Sequence, residues 1–230
     1  MNKPTERIRL DQLLTKRGLS ASRSRARDAI ARGCVTVGGQ TATKAGMLVS
    51  TACEIDLNDP ASSYVSRSAF KLVAGLEAAN IDVSGQVAVD LGASTGGFTQ
   101  VLLERGAKSV LAIDVGHGQL VQWIADDPRV TSLEGVNARN LTREILTPQP
   151  DLIVSDVSFI SLRQAAEPTL LLSASQAQCV LLVKPQFEVG RAGIAKGGMV
   201  KDPGIARQAV EQVRHWFENL PGWTVTKLIP

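Results

Sequence analysis

The sequence predicts an α/β protein: a doubly wound, Rossmann-like parallel sheet preceded by a small α+β domain. Three observations carry this. Beyond residue 64, short apolar runs alternate with helical stretches, as they do when helices cover both faces of a parallel sheet. One of those runs ends in a glycine-rich loop, Gly92-Ala93-Ser94-Thr95-Gly96-Gly97, at a position where such sheets hold ligands. The first 60 residues differ in kind, with ten basic and six acidic side chains and none of the nine aromatics, whereas the rest is near neutral. A length of 230 residues fits one full-sized domain and a small companion. With 44% hydrophobic residues and a mean hydropathy of +0.05, the chain has enough apolar material for a core.

Taken in order, the small piece opens with a helix over Arg9 to Arg17, placing Leu10, Leu13 and Leu14 on one face before Gly18. A second helix, capped by Ser20 or Ser22, runs to Gly33 and buries Ala26, Ala29 and Ile30. Val35-Thr36-Val37 is a strand entering the Gly38-Gly39 turn, and Glu54 to Leu57 is a later strand. With apolar positions inside, Lys16, Arg17, Arg23, Arg25, Arg27 and Arg32 are expected outside. Unopposed arginines on neighbouring helices repel unless an anion lies against them, and an RNA backbone is such an anion. Without aromatic rings to stack bases, the piece is expected to grip structured RNA by phosphate and shape. The segments Arg9-Leu10-Asp11-Gln12-Leu13-Leu14, residues 22–33 and Val35-Thr36-Val37-Gly38-Gly39 resemble the S4 RNA-binding domain. The candidate RNA-facing set is those six residues with Arg7, Arg9 and, just past the linker, Arg67.

The expected boundaries are 1–59 for this domain, 60–66 for a turn-rich linker and 67–230 for the larger domain. There, Val87 to Leu91 is a buried strand, followed by a helix from Phe98 to Arg105 that Gly106 stops. Further strands are expected at Ser109 to Ile113, ending at Asp114, at Asp151 to Asp156 and at Cys179 to Lys184, with a late helix from Ile205 to Asn219. The glycine loop lets a ligand approach the backbone closely, but Gly92, Gly96 and Gly97 do not make the GxGxxG of dinucleotide folds. Asp114 is placed for a ribose diol, and Asp90 for orienting the loop or meeting an ammonium through water. Adenosine joined to an amino acid suits these groups, and S-adenosylmethionine contains both.

Lys71, Asp156 and Lys184 are the candidate chemistry, since strand ends converge on one crevice in this fold. A lysine ammonium is no base at neutral pH. A second cation and partial burial favour the free amine, and a carboxylate opposes it. A neutral Lys184 would accept the proton of a weakly acidic hydroxyl.

Residues 64–72 (Tyr-Val-Ser-Arg-Ser-Ala-Phe-Lys-Leu), 90–99 (Asp-Leu-Gly-Ala-Ser-Thr-Gly-Gly-Phe-Thr), 156–162 (Asp-Val-Ser-Phe-Ile-Ser-Leu) and 183–188 (Val-Lys-Pro-Gln-Phe-Glu) resemble the TlyA, or haemolysin A-like, family. Its catalytic domain is similar to the FtsJ/RrmJ ribose methyltransferases. The resemblance implies S-adenosylmethionine-dependent 2′-O-methylation of a cytidine in ribosomal RNA, with ribosomal subunits as partners. It makes Lys71, Asp156 and Lys184 three members of a Lys-Asp-Lys-Glu tetrad. It assigns Asp90, Gly92, Ser94, Thr95, Gly96, Gly97 and Asp114 to the cofactor site and gives Asn137 an adenine contact. It also implies a closing hairpin, with Trp223 to Ile229 as its first strand and the tetrad's Glu on the strand after it, where this sequence stops. Glu188 and Glu211 are in the wrong places to replace it, so the expectation is an intact cofactor architecture with doubtful turnover.

Other classes fit less well. Three scattered cysteines and two histidines form no metal-ligand pattern, and no apolar run has membrane length, so a metal-free cytoplasmic protein is expected and a pore-former finds no support. A non-catalytic RNA-binding or ribosome-assembly factor that keeps the cofactor fold stays open as the alternative.

Overall fold

The computed structural model describes residues 6–20, 22–59, 63–190, 193–195 and 197–230. The chain divides into two units, residues 1–63 and 64–230. Residues 60–62 of the expected linker lie outside the described residues.

The smaller unit contains β1 (Arg7–Arg9), α1 (Leu10–Lys16), α2 (Arg23–Ala31), β2 (Val35–Val37), β3 (Gln40–Thr41), β4 (Leu48–Ser50) and β5 (Ile55–Leu57). Ser22 caps α2 by accepting the Arg25 N–H, and Gly33, at φ +76°, lets the chain leave the helix. The apolar faces of both helices meet Val35 and Val49 in one core. β2 pairs antiparallel with β3 and β5. β1 pairs with β4 through Ile8 and Val49, a pairing that sequence periodicity missed because each short strand is decided by a partner about forty residues away.

The picture of unopposed arginines needs correction. The buried Asp11 carboxylate holds both Arg9 and Arg23, Arg32 Nη2 lies 2.6 Å from Asp59 Oδ2, and Arg17 donates to the Thr51 carbonyl. A carboxylate on a helix's first turn reads as a surface charge in sequence, and here α1 packing encloses it. Arg7, Lys16 and Arg27 stay exposed, and Arg25 is half-buried.

The larger unit holds α3 (Ala69–Ala79), β6 (Val87–Leu91), α4 (Gly97–Glu104), β7 (Ser109–Asp114), α5 (Gln122–Ala125), β8 (Val130–Glu134), β9 (Leu152–Ser155), α6 (Leu162–Leu172), β10 (Gln178–Leu181), α7 (Pro185–Glu188) and α8 (Pro203–Glu218). Its five strands run parallel in the order β10-β9-β6-β7-β8. Side chains alternate across the sheet. Ala88, Val110, Leu152 and Val154 pack against α3 and α4 on one face. Val89, Leu91, Ile113 and Ile153 meet α6 and α8 on the other. From central β6 the chain builds outward through β7 and β8, then returns to β9 on the opposite side. The crevice between the β6 and β9 ends is therefore the topological switch point, where doubly wound sheets bind ligands.

Two strand expectations are corrected. β10 stops at Leu181 rather than Lys184, because Pro185 opens α7 and Lys184 becomes its N-cap. Trp223 to Ile229 forms no strand among the described residues. Trp223 instead packs on Phe217 and donates its indole N–H to the Leu170 carbonyl, docking the tail onto α6 and α8.

Candidate active site

The glycine loop leaves β6 under close steric control. At Gly92, φ is +83° and an added Cβ would lie 3.1 Å from Val157 Cα, so the first turn after β6 presses on the backbone after β9. Gly96, at φ +98°, caps α4, and a Cβ there would meet Leu120 and Ile124; one on Gly97 would meet Ser66 and Ser68. Glycine is required here by close approach as well as by dihedral. Thr95 accepts the Val121 N–H through its carbonyl, tying the loop to the start of α5.

Asp90 is fully buried beneath this loop. One carboxylate oxygen accepts the Thr99 hydroxyl at 2.7 Å, and the other has no hydrogen-bond partner. Burial pushes the group up to about 7. Asp114 ends β7 and accepts two backbone N–H groups, from Ser94 at 2.8 Å and Gly116 at 2.7 Å, so it braces the glycine loop. The Val136 N–H donates to the Asp114 carbonyl, which brings the segment with Asn137 alongside. Asn137 caps a short 3-10 turn by accepting the Arg139 N–H.

Across the switch point lie the three candidate catalytic residues. Lys184 Nζ donates to the Asp156 carbonyl at 3.0 Å and Ser158 Oγ at 2.7 Å, and forms an ion pair with Asp156 Oδ1 at 2.7 Å. Lys71, on the first turn of α3, reaches the same carboxylate oxygen at 3.8 Å with more than half of its side chain exposed. Ser66, Ser68, Gly92–Thr95, Phe98, Asp156, Ser158 and Lys184 line a cavity of about 170 Å³. A larger groove runs from Lys71 and Lys184 along the β10 edge to the tail. Its apolar walls carry no glycine-loop residue, so the smaller cavity is the one with the chemistry.

The structure thus gathers Lys71, Asp156 and Lys184 at one point, and Asp90, Gly92, Ser94, Thr95, Gly96, Gly97, Asp114 and Asn137 around the adjoining loops. Arg67 is exposed, just ahead of α3. Sequence reasoning missed Ser66, Ser68 and Ser158, whose single hydroxyls leave no spacing signature. It also missed a role for Glu188. That carboxylate, 2% exposed, accepts the Ser161 hydroxyl at 2.7 Å and the Leu162 N–H at 2.6 Å, and Arg163 lies 3.5 Å away. It therefore fastens α7, which Lys184 begins, to the segment that carries Asp156 and Ser158. Among the described residues no helix is long and apolar enough to cross a membrane, and no group of three His, Cys, Asp or Glu could hold a metal ion.

Comparison with known proteins adds to this geometry. The FtsJ-like methyltransferase model matches residues 64–229, and the S4 domain model matches residues 8–54. A Mycobacterium tuberculosis protein named 16S/23S rRNA (cytidine-2′-O)-methyltransferase TlyA is 44% identical over 218 residues, 94% of this chain and 81% of that one. Hemolysin A of Brachyspira hyodysenteriae is 41% identical over 197 residues, covering 85% of this chain and 81% of its own. A solved Streptococcus thermophilus structure carrying a provisional hemolysin name superposes with a TM-score of 0.68 at 36% identity, over 93% of this chain and 78% of that one.

Proposed function

Because the chain belongs to the TlyA family of S4-containing, FtsJ-like methyltransferases, we propose that it methylates the 2′-hydroxyl of a cytidine ribose in ribosomal RNA, using S-adenosylmethionine. The observation that carries this reading is the Asp156–Lys184 pair, with Lys71 beside it, abutting the glycine loop at the switch point. Ribosomal subunits in the cytoplasm are the proposed setting.

The loop residues fit such a cofactor. The partnerless oxygen of Asp90 is a buried acceptor next to the cavity, suited to an ammonium directly or through water. Gly92, Gly96 and Gly97 fix the course of the loop that lines the cavity, and Asp114 and Asn137 would hold the cofactor's ribose and adenine ends. When bound, S-adenosylmethionine supplies a methyl group activated by a sulfonium.

Everything else falls to the chain. Lys184 enters proton transfer as the neutral amine, keeping its N–H bond to the Asp156 carbonyl and its place 2.7 Å from Oδ1 of the same residue. The third direction, now toward Ser158, is freed for its lone pair to take the 2′-hydroxyl proton. Asp156 fixes the amine through both of these oxygens, and Lys71 brings positive charge near the attacking oxygen. Much of the rate advantage then comes from holding that oxygen in line. The smaller unit supplies the RNA grip.

Calorimetry with S-adenosylmethionine, followed by tritium transfer from the labelled cofactor to ribosomal subunits, tests the reading. Cofactor binding with transfer is expected. Binding of RNA and cofactor with no transfer to any subunit preparation would overturn it in favour of a non-catalytic RNA-binding factor.

A further inference from the structure

The arginines of the smaller unit do not simply face outward. Asp11 sits on the first turn of α1 with 0% of its side chain exposed, and a carboxylate so enclosed must be paired. It is paired twice over. Arg9 approaches side-on, Nε 3.0 Å from Oδ1 and Nη2 3.2 Å from Oδ2, while Arg23 of α2 brings Nη2 to 3.1 Å from Oδ2. These contacts hold the carboxyl down at about 2. The Arg9 guanidinium also lies against the backbone at Gly46, where an added Cβ would come within 3.0 Å of Nη1.

Both arginine side chains nonetheless remain about half exposed, at 44% and 50%. Each has five N–H donors, and Asp11 engages only two from Arg9 and one from Arg23. Arg9 is fixed by two nitrogens and its packing on Gly46, Arg23 is tethered through Nη2, and the three-residue cluster keeps a net positive charge. Arg27 extends the basic face one turn along α2, its Nε donating to the Arg23 carbonyl at 3.4 Å.

We propose that Asp11 is a positioning residue that sets Arg9 and Arg23 into a two-guanidinium fork for an RNA phosphate. The inference rests on the reading that this unit binds RNA. Planar guanidiniums suit phosphate oxygens in pairs, and part of the side-chain entropy normally lost on binding has already been lost in the free protein.

The test uses the full chain, a fluorescein-labelled RNA stem-loop and deproteinised ribosomal RNA, with affinity measured across a salt series. Asp11→Asn removes a negative charge near the RNA surface, so action by net charge alone predicts equal or tighter binding. The fork predicts weakening of at least ~10-fold and a salt slope lower by about one ion. The double variant Arg9→Lys, Arg23→Lys keeps both charges but loses the planar donors, and it should weaken binding as Asp11→Asn does. It decides the matter if Asp11→Asn fails to fold. Parental affinity in the double-lysine variant, or parental or tighter affinity in folded Asp11→Asn, overturns the fork and leaves RNA binding standing. Failure of the unaltered chain to bind either RNA in a salt-dependent way overturns both the fork and the RNA-binding reading.

Discussion

Glu188 is the residue whose removal best tests how the catalytic segments are held together. Its carboxylate is almost wholly enclosed and receives the Ser161 hydroxyl and the Leu162 N–H, the first free N–H of α6. Ser161, the N-cap residue, makes no side-chain cap bond of its own, so Glu188 caps α6 from a distance. Glu188→Ala removes two charge-assisted hydrogen bonds of about 1.5–3 kcal/mol each and an anion at a helix N-terminus. These contributions overlap, so the net loss should be about 3–4 kcal/mol. Glu188→Gln keeps one acceptor and should lose roughly half as much. All three tryptophans lie in the larger unit, so denaturant unfolding followed by tryptophan fluorescence reports on it selectively. Under conditions where the variants stay folded, the segment from Asp156 to Ser161 should loosen against Lys184. The turnover number should then fall several-fold. If Glu188→Ala unfolds within about 0.5 kcal/mol of the parent and transfers methyl groups at the parental rate, the proposed coupling is wrong.

Three further outcomes follow from the same geometry. Gly92→Ala adds a Cβ at φ +83° against the Val157 backbone, so it should cost about 2–4 kcal/mol and depress transfer by shifting Asp156; fluorescence-monitored unfolding checks the first part and tritium transfer the second. Asp90 titrates near 7 when folded and near 3.8 when unfolded, so between those values the folded state holds a proton that the unfolded state has released. Stability of the cofactor-free larger unit should therefore decline as pH rises from 4 to 7, and Asp90→Asn should remove that slope in denaturation series at several pH values. Lys71→Ala, at a longer and more exposed contact, should reduce transfer less than Lys184→Ala in side-by-side single-turnover assays.

Much of the site was legible because its chemistry lies in runs of adjacent residues. Gly92 to Gly97 after an apolar strand announces both a turn and a ligand, and the acidic strand-end Asp114 twenty-two residues beyond Gly92 belongs to the next strand of a parallel sheet. The order of helices and long strands was likewise carried by hydrophobic period. The strands Arg7–Arg9 and Leu48–Ser50 were not, since their pairing is decided by a partner about forty residues away. Val130–Glu134 escaped for another reason: it is an edge strand, largely exposed, with no apolar run. Asp11 and Glu188 were invisible as buried acceptors because a carboxylate in sequence carries no sign of what encloses it. The family resemblance implied a strand starting at Trp223, yet its ring and indole N–H pack against α8 and α6.

On the proposed function, Lys184 is the residue through which this chain places a methyl group on a ribose oxygen. Ribosomal subunits lacking the modification, incubated with the protein and S-adenosylmethionine, should yield 2′-O-methylcytidine when their RNA is digested to nucleosides and analysed by mass spectrometry. Lys184→Ala should yield none while binding the cofactor with near-parental affinity in calorimetry. Methylation on a base instead of a ribose, or undiminished 2′-O-methylcytidine from the Lys184→Ala protein, would contradict the account.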